Sequence, residues 1–205
     1  MIAVVDYRVG NIRSVLTALN RLDVEGELTD DPEKLGRADG IILPGVGAFA
    51  TAMEELRGPG LDEVLREAVQ QGTPLLGICL GMQVLFGESE EHGAHEGLGL
   101  VPGRVTRFEG EDLTVPHMGW NQVSIQRDDC PLFEGILDDS YFYFAHSYCA
   151  APSEEKAVAG TTDYGAEFCS VVWNDTVFAT QFHPEKSGRC GERMLRNFAD
   201  FCGEE

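Results

Sequence analysis

The stretch Thr73–Gln83, TPLLGICLGMQ, constrains the fold more than any other. An apolar run enters Gly77-Ile78-Cys79-Leu80-Gly81, and a helix is expected to begin over Met82–Phe86. A short apolar run bounded by turn residues reads as a buried strand. Glycines flanking one cysteine leave room for a sharp strand-to-helix turn that pushes its side chain outward. Strands alternating with helices around such a turn imply a parallel sheet covered on both faces.

The rest of the first half agrees. Ile2–Val5, Val24–Leu28 and Gly40–Leu43 read as strands, the first closing at Asp6 with Gly10 and Asn11 behind it. Ile12, Val15, Leu16 and Leu19 recur at helical spacing, and helices are expected near Ala48–Leu56 and Leu61–Gln71. The second half is strand-rich. Pieces at Val105–Phe108, Gln122–Gln126, Tyr141–Cys149, Ala157–Thr162, Cys169–Trp173 and Val177–Gln181 are joined by short turns and are partly antiparallel. A closing helix over Gly191–Phe201 puts Met194, Leu195, Phe198 and Phe201 on one face. The expectation is one α/β domain over residues 1–205, with a mixed, mostly parallel sheet and helices on both faces.

Composition narrows the function. The chain has 205 residues, 43% of them hydrophobic, enough for one sizeable core. No run of about 18 apolar residues occurs, so no membrane span is expected. The opening MIAVVDYRVGN lacks a basic n-region and a long apolar stretch, so a signal peptide is not expected and a cytoplasmic location is. Acids outnumber bases 35 to 15, a net charge of -20, opposite to what a nucleic-acid surface needs. The acids are spread along the chain as far as Glu204 and Glu205, as on a solvated surface suited to a salt-rich, halophilic cytosol. An ordinary acidic cytosolic protein is the alternative. Six cysteines include no CxxC pair, so neither a zinc ribbon nor a thioredoxin-type site is indicated; five read as small buried hydrophobes.

Cys79 stands apart. The turn aims the first amides and the positive end of the new helix at its sulfur, which favours the thiolate. The Leu80 amide, next in the chain, is placed to donate to an oxyanion. The same spacing also suits a buried cysteine between two packing glycines. A nucleophilic cysteine benefits from an imidazole and a group that orients it. His92 and His95 lie in an acidic, Gly-rich stretch and read as surface loop; His117 and His146 border strands. His183 is the strongest candidate. It follows the Val177–Phe182 run in Phe182-His183-Pro184-Glu185, and in extended backbone Glu185 would share its face. A strand-end histidine paired with a nearby acid is the bland alternative.

GICLGMQ with a distal FHPE resembles the class I, triad-type glutamine amidotransferases. DYRVGN (Asp6–Asn11), LPGVGAF (Leu43–Phe49), PHMGWN (Pro116–Asn121) and HPEKS up to Ser187 narrow the resemblance to the glutaminase subunits of imidazole glycerol phosphate synthase, across essentially the whole chain. The resemblance implies a Cys79–His183–Glu185 triad and a thioester formed at the carboxamide of L-glutamine. It implies oxyanion amides at Val46, Gly47 and Leu80. Gln83, Glu91 and the His146-Ser147-Tyr148 edge would hold the glutamine, Ser147 standing where the family often has threonine. It implies a (β/α)8-barrel cyclase partner, which takes the ammonia to a phosphoribosyl-formimino carboxamide nucleotide and is faced by Asn11, Met118, Trp120 and Lys186. Neither a metal nor an organic cofactor is implied. Another class I amidotransferase feeding a different acceptor, and a catalytically silent partner-binding scaffold, stay open at this point.

Overall fold

Side chains along a strand point alternately to opposite faces, and here both sets are apolar. In the computed structural model, which describes residues 1–108, 110 and 113–203, strands β1 (Ile2–Val5), β2 (Gly26–Thr29), β3 (Gly40–Gly45) and β4 (Leu75–Cys79) pair in parallel in the order β2-β1-β3-β4. The Glu204–Glu205 pair lies outside the described residues. Ile2, Val4, Ile42, Leu76 and Ile78 face one side, against helix α1 (Ile12–Arg21) and the C-terminal helix. Ala3, Val5, Ile41, Leu43 and Leu75 face the other. That side is covered by α2 (Pro32–Leu35), α3 (Phe49–Arg57) and α4 (Leu61–Gln70).

Among the expected boundaries that move, two bear on the site. The helix expected over Met82–Phe86 is a short one, α5 (Leu80–Val84), and Phe86 already starts β5 (Phe86–Ser89). The carbonyls that would continue it are taken from outside: Leu98 N donates to Val84 O and Leu100 N to Leu85 O. What faces Cys79 is therefore one turn of amides rather than a full helix dipole. Likewise Tyr141–Cys149 is two strands. After β6 (His95–Glu96), β7 (Val101–Arg107) and β8 (His117–Ile125) come β9 (Ser140–His146) and β10 (Tyr148–Pro152), broken at Ser147. β9 pairs β8, whereas β10 pairs β7, so the chain turns a corner at Ser147.

The strands β11 (Val158–Asp163), β12 (Glu167–Asn174) and β13 (Val177–Thr180) complete the sheet, and α6 (Gly188–Phe201) closes the chain. β13 lies parallel to β4 and antiparallel to β12, so it joins the parallel half to the antiparallel half. The result is a single α/β domain with a mixed sheet and helices on both faces. Among the described residues no helix is long and apolar enough to cross a membrane. No disulfide forms among them; Cys130 and Cys169 are buried, but Cys149, Cys190 and Cys202 are only partly so, contrary to the expectation for all five.

Candidate active site

Strand register assembles the site. Gly45 of β3 lies opposite Cys79 at the end of β4, and Thr180 of β13 lies opposite Ile78. The residues just beyond are therefore neighbours: Val46 and Gly47, Leu80, and Gln181 to His183. They sit at the carboxyl end of parallel strands, where α/β sheets place their sites.

Cys79 has φ 57° and ψ −110°, backbone that side-chain-bearing residues rarely adopt and that costs on the order of 1–3 kcal/mol. The flanking glycines make the turn feasible through close approach. A Cβ on Gly81 would overlap the carbonyl oxygen of Leu43, and one on Gly77 would stand 2.7 Å from the Gly81 carbonyl oxygen. The reading as a cysteine merely packed between glycines does not account for a strained residue whose sulfur reaches a cleft.

His183 Nδ1 lies 2.9 Å from Glu185 Oε1, both side chains being almost fully buried. They meet for a different reason from the one expected. Pro184–Lys186 form a 3-10 turn, so curvature rather than extended alternation brings the pair together. The loop is fixed from both sides: His183 N donates to Tyr143 O at 2.9 Å, Ser187 Oγ donates to His183 O at 2.6 Å, and Tyr143 N donates to Ser187 Oγ at 3.0 Å. Burial disfavours the His183 cation. It is outweighed by hydrogen bonds to Cys79 and Glu185 and by the negative charge of both, so the pKa rises to about 9. At neutral pH this is an imidazolium held between a sulfur and a carboxylate.

A cleft of about 360 Å³ opens over the sulfur. Val46, Gly47, Leu80, Gln83, Glu91, His146, Ser147 and Tyr148 all line it, as do Met118 and Lys186. Asn11 and Trp120 are not on its wall. Trp120 is 55% exposed, so it is not the core aromatic that a tryptophan in a strand suggests; it sits edge-on to Tyr143, whose ring is 5.8 Å from Lys186 Nζ. Asn11 accepts from Ser14 Oγ at the start of α1. Glu91 Oε2 accepts from Phe49 N at 2.6 Å, so one of its oxygens also caps α3. A larger cleft of about 750 Å³ includes Arg127 and Lys156, but these are already paired with Asp129 and Glu154, and neither Cys79, His183 nor Glu185 lines it.

A family model described as glutamine amidotransferase class-I matches residues 3–201. The chain belongs to the class-I glutamine amidotransferase family. The imidazole glycerol phosphate synthase subunit HisH of Syntrophotalea carbinolica is 50% identical over 206 residues, covering 98% of this chain and 100% of that protein. The subunit of the same name from Moorella thermoacetica is 51% identical over 199 residues, covering 97% and 94%. A crystal structure of a glutamine amidotransferase superposes with a TM-score of 0.77 at 23% identity, over 98% of both chains, which speaks to the fold.

Two residues of this amidotransferase site escape sequence reasoning. Tyr7 is buried and its hydroxyl donates to Pro44 O at 2.6 Å, anchoring the base of the Gly45-Val46-Gly47 turn. Burial, then the negative charge of Cys79, raises its pKa, which keeps the phenol protonated as a donor. Gln181 is fully buried between Gln83 and Cys79. The signal that could have found it is its place two residues before His183 on the same strand end.

His117 and His146 are cross-strand partners that bond to each other. His146 Nδ1 faces Tyr148 O at 2.8 Å and must donate, so its Nε2 accepts from His117 Nδ1 at 3.0 Å. His117 Nε2 is then left to accept from Asn121 Nδ2 at 3.3 Å. Burial pushes His117 down to about 4. Burial, against the Tyr148 hydrogen bond and aided by the charges of His117 and His183, pushes His146 to about 3. Both folded values lie below the unfolded one, so this stability is complete above about pH 6.5 and is lost as pH falls toward 4 and 3. Two-bond 1H–15N spectra at about pH 6 are expected to show both rings neutral and protonated on Nδ1. An imidazolium signal from either at that pH contradicts the arrangement.

Proposed function

We propose that the chain is the glutaminase subunit of an imidazole glycerol phosphate synthase, with Cys79 as nucleophile, His183 as acid and base, and Glu185 as its orienter. The observation that carries this is the His183–Glu185 pair at 2.9 Å in the same cleft as Cys79, whose sulfur sits on a strained turn. Cys79 Sγ attacks the γ-carboxamide carbon of L-glutamine, and the negative charge moves to the carboxamide oxygen. The amide of Leu80 and amides of the Val46–Gly47 turn receive that charge. The His183 imidazolium gives its proton to the departing nitrogen, ammonia leaves, and a γ-glutamyl thioester remains. Neutral His183 then takes a proton from water, whose oxygen attacks the thioester; glutamate leaves as the C–S bond breaks, and the thiolate and the His183 imidazolium are restored.

The cleft also supports a seat for the substrate backbone. Both amide hydrogens of Gln83 are used, toward Tyr148 O and Gln181 Oε1, so Gln83 offers only an acceptor, Oε1. With the Glu91 carboxylate it forms a seat for an α-ammonium group. The His146-Ser147-Tyr148 corner offers backbone polar groups on the opposite wall.

The relatives named above are each a synthase subunit, which supports a partner, a (β/α)8-barrel cyclase in a heterodimer, that receives the ammonia. Met118 at 65% and Trp120 at 55% exposure, together with Lys186 and Asn11, are proposed to form the docking face. Val46, 40% exposed on a turn ending at Gly47 with φ +105°, is the proposed gate. The absence of a membrane-crossing helix among the described residues and the net charge of -20 fit a cytoplasmic, salt-rich setting.

The test is glutamate and ammonia release by the purified chain, alone and with the cyclase and its nucleotide, in low and high potassium chloride. Slow release alone and stimulation of about 100-fold or more is expected, the scale of an oxyanion donor coming into place. Full turnover without any partner contradicts the gate, and no turnover with it contradicts the function.

A further inference from the structure

Gln181 has no exposed surface, and its side-chain amide has a partner at each end. Its Oε1 accepts from Gln83 Nε2 at 3.1 Å, and its Nε2 stands 3.9 Å from Cys79 Sγ, within hydrogen-bond range for sulfur. Amide orientations are settled by their networks. Here one backbone carbonyl settles two of them. Tyr148 O can only accept, so the Gln83 atom 2.9 Å from it must be the NH2 group. The second hydrogen of that group meets Gln181, which must answer with its oxygen. The other end of the Gln181 amide, the end facing sulfur, is therefore NH2 and donates.

We propose that Gln181 is a positioning residue for the glutaminase reaction, its Nε2–H orienting the Cys79 sulfur and favouring its anionic form. A hydrogen bond donated to the charged form stabilises that form, and burial strengthens the effect because no water competes. The arrangement also joins two parts of the reaction. Gln83, on the substrate seat, holds the Gln181 amide, which holds the nucleophile. A disturbed seat therefore reaches the sulfur without any backbone movement.

The inference rests on the glutaminase function proposed above, but its test does not depend on turnover. Gln181→Glu keeps an oxygen for Gln83 and removes the donor to sulfur; Gln181→Met keeps the length and removes both links. Alkylation of Cys79 by iodoacetamide is followed against pH in the full chain, by mass spectrometry of the Cys79 peptide. In both variants the half-point of the alkylation profile is expected to move up by about one pH unit, and kcat to fall roughly tenfold or more. KM rises in Gln181→Met, where the Gln83 seat is loosened, and changes little in Gln181→Glu. Should a variant fail to fold, the wild-type chain still reports. The Gln181 side-chain NH2 resonance is expected to shift on alkylation of Cys79, and an unshifted resonance overturns the proposal. Unmoved alkylation profiles in folded variants overturn it as well, even if wild-type protein hydrolyses glutamine. A shifted profile in a protein that never hydrolyses glutamine upholds the contact and refutes the function instead.

Discussion

Cys79→Ser lowers kcat for glutamine hydrolysis by a factor on the order of 10⁴ or more, measured as glutamate release with the cyclase partner present. A hydroxyl is nearly isosteric with the thiol and leaves the turn intact, but it does not ionise beside an imidazole. None of the other five cysteines lines the cleft, so none can replace it. The same variant carries its own check on folding. The largest single contribution that raises His183 comes from Cys79, followed by Glu185. With serine in place, His183 should titrate below the wild-type value of about 9, an imidazole shift readable by NMR. A variant that retains turnover, or one in which His183 titrates as in the wild type, contradicts the ion pair.

Gly81→Ala is the most damaging single-atom addition expected in this chain. The new Cβ would overlap Leu43 O and stand 2.9 Å from Leu43 C and 3.4 Å from Pro44 C, all backbone atoms of β3 that no side-chain rotation can clear. Overpacking against backbone costs about 3 kcal/mol here, at the upper end for such insertions. For a domain of this size that lowers Tm by roughly 6–12 °C, read by differential scanning calorimetry. Glutaminase activity falls further than stability, because β3 and β4 separate where the Val46–Gly47 turn meets Leu80. Gly36→Ala is the control: Gly36 has φ −69° and its Cβ would meet Pro32 O at 3.4 Å, so Tm should hardly move. Equal losses from the two substitutions would show that close approach at the turn is not what selects glycine there.

These two positions also show what could be read from the chain before its structure. Gly77 and Gly81 around Cys79 announce a strand ending in a tight turn, because few residues can lie against a neighbouring strand at van der Waals distance. The runs at Ile2–Val5 and Gly40–Leu43 are bounded by turn residues and come within two residues of β1 and β3. Met82–Phe86 gave no such boundary. All but Gln83 are apolar, and a short apolar run cannot by itself choose between helix and strand. The break at Ser147 was hidden in the same way, since no glycine or proline marks the corner between β9 and β10. His183 and Glu185 were found by their chemistry, although a 3-10 turn and not extended backbone joins them. Gln181 and Tyr7 were missed because an amide and a phenol are common in cores. Their meaning comes only from what they face: a sulfur in one case, and the carbonyl beneath the Gly45-Val46-Gly47 turn in the other.

The most direct test of the account is to catch the intermediate. The chain is mixed with glutamine in the presence of its partner, quenched in acid within one turnover, digested and analysed by mass spectrometry. A γ-glutamyl thioester on the peptide carrying Cys79, and on no peptide carrying Cys130, Cys149, Cys169, Cys190 or Cys202, is the predicted result. Glutamate released without any such adduct, or an adduct on a different cysteine, would contradict it.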